Sequence, residues 1–222
     1  MPKRKSSQPS LKLFYFDISG KGEPIRLLAA YAGLELEDYR FASREEFMKM
    51  KEDGTLPYGQ VPLLEVDGKD HVPQSATILR YLAKLADLYP SDALLAAKVD
   101  AALDQEADAF VGPTVASYTT RFGIEMTDSQ VEATAAALSS EVMPRHFKAV
   151  EGLLTESATG WIAGTPEPSP ADFAWAIRLG DYLPMKDRLF TKELRELEAF
   201  PACKAFVEKF YALPQIAEGQ TP

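Results

Sequence analysis

The spacing of apolar residues changes once along this chain, near residue 87, and that change limits the fold more than any other feature. Before it, short apolar runs alternate with helical stretches. Lys12 to Phe16 reads as a strand, followed by the glycine-bearing loop D-I-S-G-K-G. Pro24 suits the first turn of a helix that carries Ile25, Leu27, Leu28 and Tyr31 and ends at Gly33. Leu36 to Phe41 suits a second strand, and Ser43 to Lys51 a charged, weakly helical stretch. Val61 to Val66 reads as a third strand, Asp67-Gly68 as a hairpin turn and Asp70 to Val72 as a short fourth strand. Gln74-Ser75 opens a helix with Ile78, Leu79, Tyr81, Leu82 and Leu85. The order is β-α-β-α-β-β-α.

Asp87 to Asp92 breaks the pattern, and everything beyond it has helical spacing. Val99–Arg121 and Ser129–Leu154 read as two long helices, with shorter ones at Pro170–Leu183, Lys192–Leu197 and Ala202–Ala212. The expected organisation is a disordered tail over 1–10, a mixed α/β domain over 11–87, a linker over 88–93 and an all-helical domain over 94–222.

Composition narrows the function. The 222 residues are 46% hydrophobic, enough for a real core, and the net charge of −9 argues against nucleic acid as a partner. Lys3-Arg4-Lys5 is the one basic cluster; no apolar run follows it, so it is not read as a signal peptide. No stretch reaches the roughly 18 apolar residues of a membrane helix. The single cysteine, Cys203, allows no internal disulfide and fits a reducing, cytoplasmic compartment. It reads as a packing or surface thiol. His71 and His146 are too few and too far apart for most metal sites, and no metal is expected.

Four segments carry a family resemblance: Y-F-D-I-S-G-K-G-E-P-I-R from Tyr15 to Arg26, L-P-Y-G-Q-V-P from Leu56 to Pro62, Q-S-A-T-I-L-R-Y-L from Gln74 to Leu82, and S-P-A-D-F-A-W from Ser169. In order and spacing they resemble cytosolic glutathione S-transferases of the tyrosine type, most like the sigma and pi classes. The resemblance implies a thioredoxin-like amino-terminal domain, glutathione as co-substrate, a small apolar electrophile, a detoxifying transferase reaction and a homodimer.

The chemistry at each position can be stated beside the resemblance. Glutathione reacts through a cysteine thiol of ordinary pKa about 8.5, and only the thiolate is nucleophilic. A catalyst must therefore stabilise negative sulfur. Tyr15 ends the first strand with a phenol that can donate to a thiolate; the alternative is a plain sheet aromatic. Ser19 is the rival hydroxyl in the same loop. Lys21 stands where many relatives have arginine, and a cation there attracts the glycyl carboxylate or supports the thiolate without arginine's planar fork. Pro62 interrupts a strand, which a cis bond after Val61 explains. The resemblance implies that the Val61 backbone then pairs with the cysteinyl part of glutathione, with Gln60 beside it. Ser75, capping a helix start in the bland reading, can instead hold the γ-glutamyl carboxylate at that positive helix end, with Gln74.

Phe47 and Lys51 fall near positions that hold the glycyl end in relatives. Asp108, ten residues before Tyr118, aligns with an acid that reaches the partner subunit's glutathione amine; Asp104 is the nearest confusable carboxylate. Phe16, Ile18 and Tyr118 are candidates for the electrophile pocket, with Val111 and Thr114 at compatible spacing, though all could be core. Ser169-x-x-Asp172 is a helix-capping motif and is assigned to folding. Two other functions stay open: a glutathione-dependent isomerase resembling prostaglandin D synthase, and a non-enzymatic, crystallin-like structural protein. Thiol transfer is disfavoured because the first loop has no cysteine.

Overall fold

The computed structural model describes residues 8–180 and 189–219, and the chain forms two compact units that divide between Asp87 and Leu88. The basic cluster Lys3-Arg4-Lys5 and residues 181–183 of the expected helix lie outside the described residues.

The first unit is a four-stranded mixed sheet. The strands are β1 (Leu11–Phe16), β2 (Leu36–Phe41), β3 (Leu63–Val66) and β4 (Asp70–Pro73), in the spatial order β2-β1-β3-β4. β1 runs parallel to β2, as the intervening helix α1 (Glu23–Tyr31) requires, and antiparallel to β3. Leu11, Leu13 and Tyr15 alternate with half-exposed Lys12, Phe14 and Phe16, so one face of β1 is core. The buried stripes of α1 (Ile25, Leu28) and α3 (Ser75–Leu85; Ile78, Leu79, Leu82) belong to that core. On the other face, Phe47 of α2 (Arg44–Glu52) packs against Phe16 and Phe41, with ring centroids 5.2 and 6.0 Å apart.

Local signals act as expected at several boundaries. Gly33 follows α1 at φ +63°, and Asp67-Gly68 turns the β3–β4 hairpin with both residues at positive φ. Asp67 also binds Ser10: the Ser10 amide donates to its carboxylate and its own amide to the Ser10 carbonyl. Ser10 is thus bonded to the β3–β4 turn. β3 begins at Leu63, two residues later than the pattern suggests, because Pro62 has no N–H for the ladder. The Val61–Pro62 bond is cis.

The second unit is helical among the described residues, with α4 (Ala93–Ala109), α5 (Val111–Ser117), α6 (Asp128–Ala137), α7 (Met143–Glu156), α8 (Pro170–Gly180), α9 (Lys192–Arg195), α10 (Pro201–Tyr211) and α11 (Pro214–Gly219). Both expected long helices are broken, and proline explains each break. Pro113 has no N–H to donate to the Ala109 carbonyl, and its ring would strike that carbonyl; the helix ends at Ala109 and restarts after Phe110. Pro144 stands in the same relation to Ser140, and there a π turn over Leu138–Val142 separates α6 from α7. The first helix also begins six residues before Val99, since the Asp92 carboxylate accepts the Leu95 amide at 2.8 Å and caps it.

Besides Asp92, the carboxylates of Glu151 and Asp172 hold helix starts in this unit. Pro201 has no N–H, and both oxygens of Glu151 on α7 take the next two amides of α10, Ala202 and Cys203, at 2.8 Å each. Cys203 is fully buried there, and burial beside Glu151 pushes its thiol far above the usual cysteine range, so it is a packing thiol. Asp172 is also fully buried. It accepts from the Ile162 amide (2.8 Å) and from the Ser169 amide and hydroxyl (2.7 Å each). Burial pushes its carboxyl up, while those bonds and Lys209 favour the ionised form. Trp175 on the same helix donates to the Ala102 carbonyl at 2.8 Å, tying α8 to α4.

Asp172→Ala would strand three buried donors at once. It should lower stability by roughly 2–5 kcal/mol, measured as a fall in the denaturant midpoint at unchanged slope.

Candidate active site

Strand register alone brings distant segments of the first unit to one end of the sheet. Phe14 of β1 lies opposite Leu63 of β3, and Leu63 lies opposite Pro73 of β4. Tyr15, the Val61–Pro62 bond and the Gln74–Ser75 start of α3 therefore follow or precede paired positions on adjacent strands. β2, parallel to β1, ends at the same edge with Phe41 beside Phe16. The residues expected from sequence on this unit gather here.

Tyr15 is 7% exposed, with its ring packed beneath the loop that follows β1. Two glycines let the backbone approach it. A Cβ on Gly20, which has φ +42°, would sit 2.5 Å from the Tyr15 hydroxyl, and one on Gly22 would sit 2.5 Å from its ring. The Lys21 amide donates to the Tyr15 hydroxyl at 2.9 Å. A phenol that accepts one bond can still donate its own hydrogen, and accepting polarises it as a donor. The Lys21 side chain is exposed, as are Ser19 and Ile18. Ser19 acts in the loop through its carbonyl, which accepts the Glu23 amide at 2.8 Å.

Gln74 holds φ +72° and ψ 122° immediately before α3, an uncommon backbone state for a non-glycine residue. Its side chain is exposed and makes no capping bond to the helix. Ser75 is half-buried at the first helical position. The first-turn amides and the positive end of α3 thus face whatever Gln74 and Ser75 can hold. Lys51, exposed at the end of α2, lays its stem across Gly59, the residue before Gln60; an added Gly59 Cβ would meet the lysine Cε at 3.1 Å. Phe47 and Phe16 touch one another within an aromatic cluster that includes Phe41.

Arg26 is a residue whose part the sequence did not reveal. Its guanidinium donates to the Ile18 carbonyl at 3.0 Å and the Phe16 carbonyl at 3.3 Å, and its Cζ lies 5.8 Å from the centre of the Tyr15 ring. The available signal was an arginine on the first helix turn after the loop; which carbonyls it would reach depends on tertiary structure.

Asp108 and Tyr118 belong to the second unit. Asp108 is exposed near the end of α4, and Tyr118 is 42% exposed where α5 stops. Val111 is exposed, whereas Thr114 turns its hydroxyl back to the Phe110 carbonyl at 2.6 Å. His146 is held by Gln105 at 2.8 Å, and His71 lies 3.5 Å from Glu65. Among the described residues, no helix is long and apolar enough to cross a membrane.

Known proteins are similar to this chain along nearly its whole length. Residues 11–84 match the family model for the glutathione S-transferase N-terminal domain, and residues 116–218 match that for the C-terminal domain. Glutathione S-transferase A4 of Mus musculus is 31% identical over 212 residues, which is 95% of this chain and 88% of the mouse protein. A major nematode-specific transferase of C. elegans superposes with a TM-score of 0.80 at 30% identity, covering 96% of this chain and 98% of that one. Prostaglandin synthase D of Nilaparvata lugens superposes with a TM-score of 0.78 at 28% identity, covering 96% and 100%. With a thioredoxin-like sheet unit, a helical second unit and relatives matched end to end, the chain belongs to the glutathione S-transferase family of enzymes.

Proposed function

We propose that this enzyme activates the glutathione thiol through Tyr15 and conjugates the thiolate to a small apolar electrophile. The observation that carries the reading is the Tyr15 hydroxyl, buried against Gly20 and bonded to the Lys21 amide at the edge where Val61, Gln74 and Ser75 meet. A donor held this rigidly needs no reorganisation when the sulfur becomes charged. In the proposed complex the Tyr15 O–H donates to the glutathione sulfur, the Val61 backbone pairs with the cysteinyl amide, and Gln60 lies alongside. Gln74, Ser75 and the start of α3 hold the γ-glutamyl carboxylate. Lys21, Lys51 and Phe47 border the glycyl end. The thiolate then attacks the electrophilic carbon, forming the C–S bond as the leaving group departs or the acceptor double bond takes the electron pair. Binding both reactants together supplies proximity.

The sigma- or pi-like, tyrosine-type placement belongs to this reading and rests on the segment Tyr15–Arg26. The mouse relative's A4 name does not carry it. Phe16, Ile18 and Tyr118 are assigned to the electrophile pocket, and the cytoplasm to the protein, as parts of the same proposal. A second reading has its own support: the prostaglandin synthase that superposes over almost the whole chain favours a glutathione-dependent isomerase, which uses the same thiolate and regenerates it.

Tyr15→Phe removes one oxygen and keeps the ring. The rate at neutral pH should fall about 10- to 1,000-fold, with glutathione affinity changed far less and part of the rate returning at higher pH. Loss of rate in Ser19→Ala with Tyr15→Phe unaffected would instead make the protein a serine-type enzyme. A panel of electrophiles, with product analysis for conjugate against isomer, separates the two readings.

Ser75→Ala should weaken glutathione binding by roughly 1–3 kcal/mol, because a carboxylate would lose a hydroxyl donor. Calorimetry at fixed pH measures it; unchanged affinity removes Ser75 from the site.

A homodimer is proposed in which Asp108 reaches the amine of the glutathione bound by the other subunit. Sedimentation should give a dimer at micromolar concentration, and Asp108→Asn should raise the Kd for glutathione. A monomer with wild-type affinity in that variant contradicts both statements.

A further inference from the structure

Between Phe16 and Glu23 the chain has no strand or helix, yet this is the stretch that must hold the Lys21 amide on the Tyr15 hydroxyl. It is restrained from outside by a ring of charges. Arg26 of α1 straps the carbonyls of Phe16 and Ile18, on either side of Asp17. The Arg26 Nε lies 3.1 and 3.0 Å from the two carboxylate oxygens of Asp38 on β2. The Asp38 Oδ2 also accepts the Arg40 Nε at 2.7 Å, and the Arg40 Nη1 donates to the Asp17 Oδ1 at 2.6 Å. The path thus returns to the residue between the two strapped carbonyls. Glu23 adds a bond to the Arg26 Nη1 at 3.1 Å.

Signs alternate through Glu23, Arg26, Asp38, Arg40 and Asp17. The charged groups facing the loop are Glu23 and Arg26 from α1, Asp38 and Arg40 from β2, and Asp17 and Lys21 on the loop itself. Exposure rises along the path, from 10% for the Arg26 side chain to 46% for Arg40 and 71% for Asp17. Arg40 bonds both aspartates from one planar fork, a task a lysine point charge performs less well. Asp17 and Asp38 keep the Arg40 guanidinium firmly protonated.

We propose that Arg40 is a positioning residue for the activating tyrosine, acting through Asp17 and Asp38 to fix the backbone on which the Lys21 amide meets the Tyr15 hydroxyl. The inference rests on the tyrosine reading above. Exposed ion pairs add little to global stability, so Arg40 has no large part in folding. A small shift of a catalytic group, in contrast, is expensive in rate. Arg40 and Asp17 should therefore affect thiolate formation while leaving the melting temperature nearly unchanged.

The experiment titrates the ultraviolet absorbance of glutathione thiolate bound to the full-length protein, with kcat/KM followed against pH. The variants are Tyr15→Phe, Arg40→Gln, Arg40→Lys, Asp17→Asn and the Arg40→Gln/Asp17→Asn pair. Arg40→Gln and Asp17→Asn should each raise the thiolate midpoint by about 0.3–1 pH unit and lower neutral kcat/KM about two- to tenfold. The double variant should be no worse than the more impaired single one, and Arg40→Lys should recover part of the loss. Melting temperatures should stay within about 3 °C of wild type. A midpoint sensitive to Tyr15→Phe but not to Arg40→Gln overturns this inference alone. So do fully additive shifts in the double variant, or an Arg40→Gln protein that fails to fold. A midpoint insensitive to Tyr15→Phe overturns the tyrosine reading, and this inference with it.

Discussion

The central position of β1 determines most of what the first unit can do. It pairs parallel to β2 on one side and antiparallel to β3 on the other, so its carboxy-terminal end meets the start of β3 and the end of β4. A one-residue slip in the β1–β3 pairing would turn Tyr15 away from the core and put Phe14 or Phe16 in its place. The alternation Leu11, Leu13, Tyr15 against Lys12, Phe14, Phe16 resists that slip, because it would bury a lysine. The register that stabilises the sheet is thus also the one that assembles Tyr15, Val61, Gln74 and Ser75 from segments up to 60 residues apart in the chain.

The arrangement of the second unit depends on carboxylates bonded to backbone amides, Asp172 fully buried and Glu151 half-buried. Asp172 and Glu151 each satisfy backbone amides at the start of a helix or in the loop leading to it. Asp172 in particular would be costly in the interior without those donors. Their bonds also fix which loop faces which helix: Asp172 draws the Ile162 segment onto α8, and Glu151 draws the start of α10 onto α7. The α4–α8 contact adds the Trp175 indole on the Ala102 carbonyl and the Arg178–Glu106 ion pair, with the Arg178 guanidinium 4.4 Å from the Phe110 ring centre. Specific polar contacts of this kind determine the arrangement of helices whose exposed faces are otherwise alanine-rich.

Sequence reasoning read the fold of the first unit nearly to the residue, since strand alternation, Pro24, Gly33 and Asp67-Gly68 are local signals with local causes. It missed the breaks at Phe110 and Leu138–Val142 for a different reason. Alanine- and leucine-rich spacing favours continuous helices there, but Pro113 and Pro144 exclude the hydrogen bond four residues back whatever their neighbours favour. The candidates Tyr15, Lys21, Gln60, Val61, Pro62, Gln74 and Ser75 are legible because they lie in three motifs whose order and spacing mark them. Arg26, Asp38, Arg40 and Asp17 are not, because each looks like an ordinary surface charge until β2 is laid beside β1. Ion pairs between neighbouring strands carry no period and no fixed spacing, so only register reveals them.

Magnitudes decide which group carries thiol activation on the proposed reading. Bringing a thiol from a pKa of about 8.5 to near neutrality requires about 1.5 units, or roughly 2 kcal/mol. A hydrogen bond to a charged group contributes about 1.5–3 kcal/mol, so one well-placed phenol is enough. Lys21 therefore need not act on the sulfur, and losing arginine's fork at that position bears on carboxylate binding more than on activation. What a single donor demands instead is placement. The gain is realised only while the hydroxyl stays aimed at the sulfur, and the burden of accuracy falls on Gly20, Gly22 and the Lys21 amide. Those backbone atoms belong to a loop with few apolar anchors: Asp17, Ile18 and Ser19 are all exposed. Charge-assisted bonds from Arg26 and Arg40 supply the restraint that hydrophobic packing cannot, since they act on carbonyls and a carboxylate that must remain near water.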